Sequence, residues 1–88
     1  MFTKLIVSGR VQGVGFRYFV YNLAKSYNAL GYVKNLNNGE VEILIDSVTA
    51  NNESFKKALK QGPTLSRVDN IEQSAINVVK KYENFNVK

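Results

Sequence analysis

The sequence predicts an α+β fold in which one antiparallel sheet carries two helices on one of its faces. Three observations predict it. Several segments alternate between apolar and polar residues as strands do, two others have apolar residues at helical spacing, and an Asn-Gly turn lies between two of the strand-like segments. The resulting order along the chain is β-α-β-β-α-β, followed by a short extra strand.

The first half of the chain supplies a strand, a helix and a hairpin. Residues 2–8 are rich in β-branched residues and predict the first strand. From Phe16 onward one helical face is apolar, and residues 28–31 end that helix. Residues 32–36 and 40–46 predict two strands joined by an Asn-Asn-Gly turn. The apolar helix face comprises Phe16, Phe19, Val20, Leu23, Ala24 and Tyr27; in the second hairpin strand Val41, Ile43 and Ile45 face the core, and Glu40, Glu42 and Asp46 face the other side.

The second half supplies a helix and two more strands. Ser47 is predicted to cap the second helix, and Gly62-Pro63 to end it. Residues 66–79 resume a strand pattern whose apolar phase slips between Val68 and Ile71, which predicts a β-bulge. The helix is expected to bury Val48, Phe55, Ala58 and Leu59 and to leave Lys56, Lys57 and Lys60 in water, while Phe85 and Val87 indicate a short last strand. This order is the ferredoxin-like split βαβ sandwich, and residues 1–88 are expected to form a single domain.

Composition narrows the chemistry. The chain has no cysteine and no histidine, which excludes disulfides, thiol nucleophiles and histidine-based catalysis. The net charge of +5 favours anionic partners, although a merely solvated basic surface would have the same charge. No apolar run is long enough to span a bilayer and no signal-peptide pattern opens the chain, so a cytoplasmic protein without membrane contact is expected.

The segment from Gly9 to Arg17 predicts a phosphate-binding loop. Its glycines at 9, 13 and 15 allow positive φ and close approach of backbone N–H groups to a ligand, and Arg17 follows in the first helical turn. Tyr18 stands where a dinucleotide fingerprint would need a third glycine, and no Lys-Ser/Thr pair follows, so the nucleotide-binding motifs are excluded. A small phosphate therefore remains, with a purely structural turn as the alternative.

The chain resembles the acylphosphatase family through two motifs. The first, Gly-x-Val-Gln-Gly-Val-x-Phe-Arg, spans residues 9–17. The second, Gly-Tyr-Val-Lys-Asn-x-x-x-Gly-x-Val-Glu, spans residues 31–42. Phe55, Gly62-Pro63 and Phe85 also match, so the resemblance covers essentially the whole chain.

The resemblance implies hydrolysis of an acyl phosphate to a carboxylate and inorganic phosphate. Arg17 would bind the phosphate and Asn35 would orient the attacking water, while backbone N–H groups of Gly13, Val14, Gly15 and Phe16 would hold the remaining phosphate oxygens. No cofactor or metal is expected, and inorganic phosphate is expected as product and inhibitor of a monomeric enzyme. Phosphoryl transfer depends mainly on positioning and charge neutralisation, so the missing histidine is no obstacle.

Two alternatives come from other functional classes. RNA-recognition domains share this order of elements, but their central strands display aromatic residues that stack on bases. Here the strand at residues 40–46 has three acidic residues and no aromatic one, so no nucleic-acid partner is expected. A catalytically inactive phosphate-binding relative is the second alternative, and the presence of Arg17 and Asn35 argues against it.

Overall fold

The computed structural model describes residues 1–77 and 80–88, which form a five-stranded sheet and a layer of helices. The elements in chain order are β1 (Phe2–Arg10), α1 (Phe16–Ser26), β2 (Gly31–Asn35), β3 (Val41–Asp46), α2 (Ser47–Ala50), α3 (Glu53–Gln61), β4 (Arg67–Ile76) and β5 (Phe85–Val87). The predicted first helix, hairpin and terminal strand are thus confirmed to within a residue or two at their ends.

The strands lie in the order β4-β1-β3-β2-β5. The first four form the antiparallel ferredoxin-like sheet that the sequence predicts, with β1 between β4 and β3. The terminal strand β5 instead pairs in parallel with β2, so the sheet is mixed and not wholly antiparallel. The directions of the strands explain this. β1 and β2 run in one direction and β3 and β4 in the other, and β5 runs opposite to β4, so it points the same way as β2.

The core lies between the sheet and the helices. Alternate residues of β1 and β3 face the helices and are buried, and α1 and α3 contribute the largest aromatic side chains, Phe16 and Phe55. Tyr27, at the end of α1, packs edge-on against Phe55 with ring centroids 5.7 Å apart. The buried residues of the sheet include Leu5, Val7, Val33, Val41, Ile43 and Ile45.

The predicted second helix is two helices. Asp46 caps α2, its Oδ2 accepting from the N–H of Thr49 at 3.1 Å, and Asn52 caps α3, its Oδ1 accepting from the N–H of Phe55 at 3.0 Å. Ser47 is therefore not the cap; its hydroxyl bonds to that of Thr3 at 2.7 Å. Because the break shifts the helical phase, Val48 is 86% exposed, and its predicted burial is wrong.

The predicted bulge in the fourth strand is confirmed. Ser8 pairs with Asn70 but Gly9 pairs with Val68, which leaves Asp69 as the extra residue. The strand ends at Ile76, and residues 78 and 79 of the predicted strand lie outside the described residues. Within residues 1–77 and 80–88, no helix is long and apolar enough to cross a membrane.

Candidate active site

One small pocket of about 130 Å³ collects most of the residues that the sequence singled out. It lies where the loop between β1 and α1 meets the end of β2. Its lining residues are Val11, Gln12, Gly13, Gly15, Phe16, Arg17, Tyr18 and Asn35. Val14 is not among them; it packs against the hydrophobic core.

The loop backbone presents a helix N-terminus without a side-chain cap. Gly13 and Gly15 have φ of 74° and 78°, and a Cβ at either would meet nothing within 4 Å, so the backbone conformation and not lack of space favours glycine there. Gly15 is the N-cap of α1, with no capping side chain and no acidic residue in the first turn. The first-turn N–H groups therefore remain available to an anion, unlike those at the capped ends of α2 and α3.

Arg17 is held in place by a main-chain oxygen. Its Nη1 donates a hydrogen bond to the main-chain oxygen of Lys88 at 2.8 Å, which ties the guanidinium to the chain beyond β5. Among the residues that the structure describes, no side-chain carboxylate pairs with it: Glu42 pairs with Lys34, and Asp46 caps a helix. Four of the five guanidinium N–H donors remain for an anion.

Asn35 ends β2 on the other side of the pocket. Its side chain is exposed and makes no hydrogen bond to any residue in the described part of the chain. An amide carries both donors and an acceptor, so this group can orient a water molecule without competing with an internal partner.

Gln12 is a residue whose role the sequence did not reveal. Its Nε2 donates to the carbonyl oxygens of Leu36 at 2.8 Å and Glu40 at 2.9 Å, which join the strand ends of the β2–β3 hairpin. The glycine loop is thereby fixed relative to Asn35. The only signal in the sequence is the place of Gln12 inside the first motif.

The acidic residues of β3 are engaged elsewhere. Glu42 was predicted to face away from the core, yet only 14% of its side chain is exposed. It accepts a hydrogen bond from the hydroxyl of Tyr32 at 2.7 Å and lies 3.7 Å from Nζ of Lys34. Burial, together with this hydrogen bond, raises the pKa of Tyr32. No cluster of three or more His, Cys, Asp and Glu side chains that could hold a metal ion occurs in residues 1–77 and 80–88.

An aromatic side chain stands at the mouth of the pocket. Tyr18 is 68% exposed, and its ring packs edge-on against that of Tyr21 with centroids 6.4 Å apart. Its position in α1, one residue after Arg17, places it at the same pocket as Arg17 and the glycine loop.

Known proteins share the sequence and the fold over nearly the whole chain. An acylphosphatase family model matches residues 3–87. The chain is 42% identical over 84 residues to the acylphosphatase of Vibrio vulnificus, which covers 96% of this chain and 92% of the relative. The crystal structure of acylphosphatase from Bacillus subtilis superposes with a TM-score of 0.85 at 38% identity and covers 100% of this chain and 99% of that chain.

A second kind of relative contains the same domain within a longer chain. The probable carbamoyltransferase HypF of Methanocaldococcus jannaschii is 43% identical over 86 residues, which is 97% of this chain but 11% of that protein. The full-length matches and the family model agree with the two sequence motifs and with the strand order. The chain therefore belongs to the acylphosphatase family of enzymes.

Proposed function

We propose that this chain hydrolyses acyl phosphates to a carboxylate and inorganic phosphate, with Arg17 and Asn35 as its catalytic residues. One observation carries the proposal. An uncapped helix N-terminus, the guanidinium of Arg17 and the amide of Asn35 line the same small pocket, and within residues 1–77 and 80–88 no side-chain carboxylate pairs with the guanidinium.

The phosphoryl group is bound by the loop and by Arg17. The pocket of about 130 Å³ lies well below the roughly 300 Å³ at which drug-sized ligand sites begin, so it suits a phosphoryl group and not a nucleotide. N–H groups of residues 13–16 hold two of the phosphoryl oxygens, and Arg17 contacts a third through its planar donors. Charge that develops on these oxygens in the transition state is met by fixed donors.

Asn35 positions the water that attacks phosphorus. A new bond forms from the water oxygen to phosphorus while the bond between phosphorus and the acyl oxygen breaks, and the electron pair leaves with the carboxylate. The leaving group is a weak base and needs no acid. A phosphoryl oxygen takes the proton of the water, so no basic side chain is required, in keeping with the absence of histidine from the chain.

The acyl group stays at the pocket mouth. The pocket of about 130 Å³ is small, and the ring of Tyr18, which lines it and is 68% exposed, offers an apolar surface to the acyl group. The substrate class is therefore any small acyl phosphate, recognised mainly through its phosphoryl group.

The proposal includes the setting of the enzyme. Residues 1–88 act as one domain, as a monomer of the cytoplasm, without metal, nucleic acid or membrane contact. Support comes from the family match over residues 3–87 and from relatives whose whole length this chain nearly covers. Light scattering coupled to size-exclusion chromatography tests the monomer, which has a mass of 9.9 kDa.

The decisive experiment is a benzoyl phosphate absorbance assay on two single variants. Arg17→Ala and Asn35→Ala are each expected to lower kcat/KM by at least about a hundredfold, because each removes a contact worth several kcal/mol in the transition state. Matched controls are Arg10→Ala and Asn37→Ala, which change an exposed arginine and an exposed asparagine outside the pocket lining. These should retain the activity of the unmodified protein. Wild-type turnover in Asn35→Ala would refute the water-positioning role.

A binding experiment tests the phosphate loop separately. Inorganic phosphate is expected to inhibit competitively and to shift the amide resonances of residues 13–17 in a ¹⁵N-labelled sample. Arg17→Ala should weaken both effects, whereas Asn35→Ala should leave phosphate binding nearly unchanged. Phosphate that leaves these amide resonances unmoved would contradict the loop assignment.

A further inference from the structure

A larger groove lies between α3 and the helix-facing side of β4. It has a volume of about 580 Å³ and shares no lining residue with the candidate active site. Its lining residues are Leu5, Ala50, Glu53, Phe55, Lys56, Lys57, Leu59, Lys60, Ile71 and Gln73.

The groove exists because the helices do not cover the edge strand. Leu5 of β1 is buried, yet Gln73, its direct partner on β4, is exposed. Val7 is likewise buried, and its partner Ile71 is only half-buried. Cross-strand partners point to the same face of a sheet, so β4 presents these side chains to the space beside α3.

The floor of the groove and the wall formed by α3 differ in chemistry. Leu5, Phe55, Leu59 and Ile71 line an apolar floor, of which the half-buried Ile71 is the most exposed member. The α3 wall carries Glu53, Lys56, Lys57 and Lys60, whose spacing of three and four residues places them along one side of the helix.

One of the three lysines is already paired. Lys56 lies 3.8 Å from the carboxylate of Glu53. Lys57 and Lys60 form no ion pair with any residue in the described ranges. The α3 wall therefore presents two uncompensated positive charges above an apolar floor.

We propose that this groove binds a small amphipathic anion, with its apolar body on the floor and its anionic head against Lys57 and Lys60. The volume falls within the roughly 300–1,000 Å³ range of small-molecule sites, and such sites typically combine apolar walls with a few polar groups. The charge complementarity selects an anionic head over a neutral or cationic one. The head is a carboxylate or a phosphate monoester, since both offer the oxygens that ammonium groups bind.

Octanoate and octyl phosphate are suitable probes, titrated into the ¹⁵N-labelled full chain at constant ionic strength. Both are expected to bind saturably and to shift amides of residues 56–60 and 71–73, with a dissociation constant below about 1 mM. Octylammonium tests the need for negative charge, and acetate tests the need for an apolar body; neither should saturate. Octyl phosphate also carries a phosphoryl group, so its shifts at residues 13–17 are scored apart from those at the groove.

Charge-reversal variants test the lysines. The double variant Lys57→Glu/Lys60→Glu should weaken octanoate binding by roughly tenfold or more, as two exposed charge contacts become repulsive. The control Lys25→Glu/Lys81→Glu reverses two exposed lysines outside the groove and changes the net charge equally, so it should bind octanoate as the unmodified chain does. Equal weakening by both pairs would reduce the effect to net charge and overturn the proposal.

Adjacent residues of β4 test the cavity itself. Gln73→Phe fills the groove and is expected to abolish saturable octanoate binding, whereas Ser74→Phe places the same ring on the opposite face of the sheet and should leave binding intact. Unchanged binding in Gln73→Phe, or an absence of saturable shifts at residues 56–60 and 71–73, would overturn the proposal. Retention of benzoyl phosphate hydrolysis in Gln73→Phe would show a folded protein and a separate site.

Discussion

The amide of Gln12 holds the two sides of the candidate active site together. Asn35 lies at the end of β2 and Arg17 in the first turn of α1, so the two side chains belong to different elements. The bonds from Nε2 to Leu36 and Glu40 span 24 and 28 residues of sequence, so they fix long-range geometry. We therefore expect Gln12 to act as a positioning residue, through the placement of Asn35.

Replacement of Gln12 by alanine should affect both stability and turnover. Loss of two hydrogen bonds, at about 1 kcal/mol each, predicts a free energy of unfolding lower by about 2 kcal/mol in urea denaturation. The looser hairpin should lower kcat by about tenfold with a smaller change in the inhibition constant of phosphate, because the phosphate loop itself remains. Gln61→Ala, at an exposed position of α3, serves as the control and should change neither. A variant that loses stability but keeps its kcat would deny the positioning role.

Tyr32 predicts a pH dependence of stability. Its pKa is raised above the ordinary value of 10.0, first by burial and then by the hydrogen bond to Glu42. The folded chain therefore keeps this proton at a pH where the unfolded chain loses it. The stabilisation is complete below about pH 10 and declines as the pH rises above it. Tyr32→Phe should lower the free energy of unfolding by about 1 kcal/mol near neutral pH.

Chemical denaturation at several pH values checks this. Between pH 9 and 11 the difference in stability between the unmodified chain and Tyr32→Phe should shrink, because only the former has this phenol to ionise. A constant difference across that range would contradict the raised pKa.

Under the proposed function, the loop between β1 and α1 binds phosphate through its backbone, so a glycine in the loop should respond to substitution differently from a glycine elsewhere. Gly15 and Gly39 both have positive φ, of 78° and 93°, and an added Cβ would meet nothing within 4 Å at either. Alanine should therefore cost a similar, modest amount of stability at both, about 1–2 kcal/mol of backbone strain. Only Gly15 lies in the pocket and at the start of α1.

The pair Gly15→Ala and Gly39→Ala should thus separate folding from function. Both should unfold at similar urea concentrations, whereas Gly15→Ala should bind inorganic phosphate at least about tenfold more weakly, because the strained residue turns the N–H groups away from the ligand. Isothermal titration calorimetry with phosphate measures this. Equal phosphate affinity in the two variants would contradict the proposal that the loop backbone binds phosphate.

Local pattern predicted the elements well and their boundaries less well. The Asn-Gly turn and the apolar spacing from Phe16 depend on neighbouring residues, and both predictions are confirmed. The prediction of one continuous helix was wrong. Asp46 caps α2 and Asn52 caps α3, and the second cap starts a new helix where the sequence pattern predicted that the first would continue. The parallel pairing of β5 depends on the path of the whole chain, which no local pattern contains.

The residues of the candidate site could likewise be predicted from local motifs, whereas the contacts that position them could not. Arg17, Asn35 and the glycine loop could be selected from motifs. The structure brings them to one pocket, except for Val14, which packs against the core, and Gly9, which lies in β1 at the bulge opposite Val68. The contact between Arg17 and Lys88 joins residues 71 positions apart, and the role of Gln12 likewise depends on folded geometry. Both needed the structure because a hydrogen bond at such separation leaves no periodic signal in the sequence.

The whole molecule offers positive charge and backbone donors where many phosphatases use metal ions. The chain has no histidine and a net charge of +5. Near the hairpin, Glu42 is held by Tyr32 and Lys34, and Glu40 accepts a hydrogen bond from Asn38, so these carboxylates already have partners. Under the proposed function, we therefore expect Arg17 and the start of α1 to neutralise the phosphoryl group.

Chelation should accordingly leave the activity unchanged. Dialysis against EDTA, followed by the benzoyl phosphate assay in metal-free buffer, is expected to give the same kcat and KM as the untreated protein. Added Mg²⁺ should not raise kcat or kcat/KM. Salt should act instead: KM should rise with ionic strength as the attraction between the basic protein and its anionic substrate is screened, while kcat, set inside the pocket, should change little. Loss of activity in EDTA with recovery in Mg²⁺ would mean that a cation, and not Arg17 with the loop N–H groups, neutralises the phosphoryl oxygens.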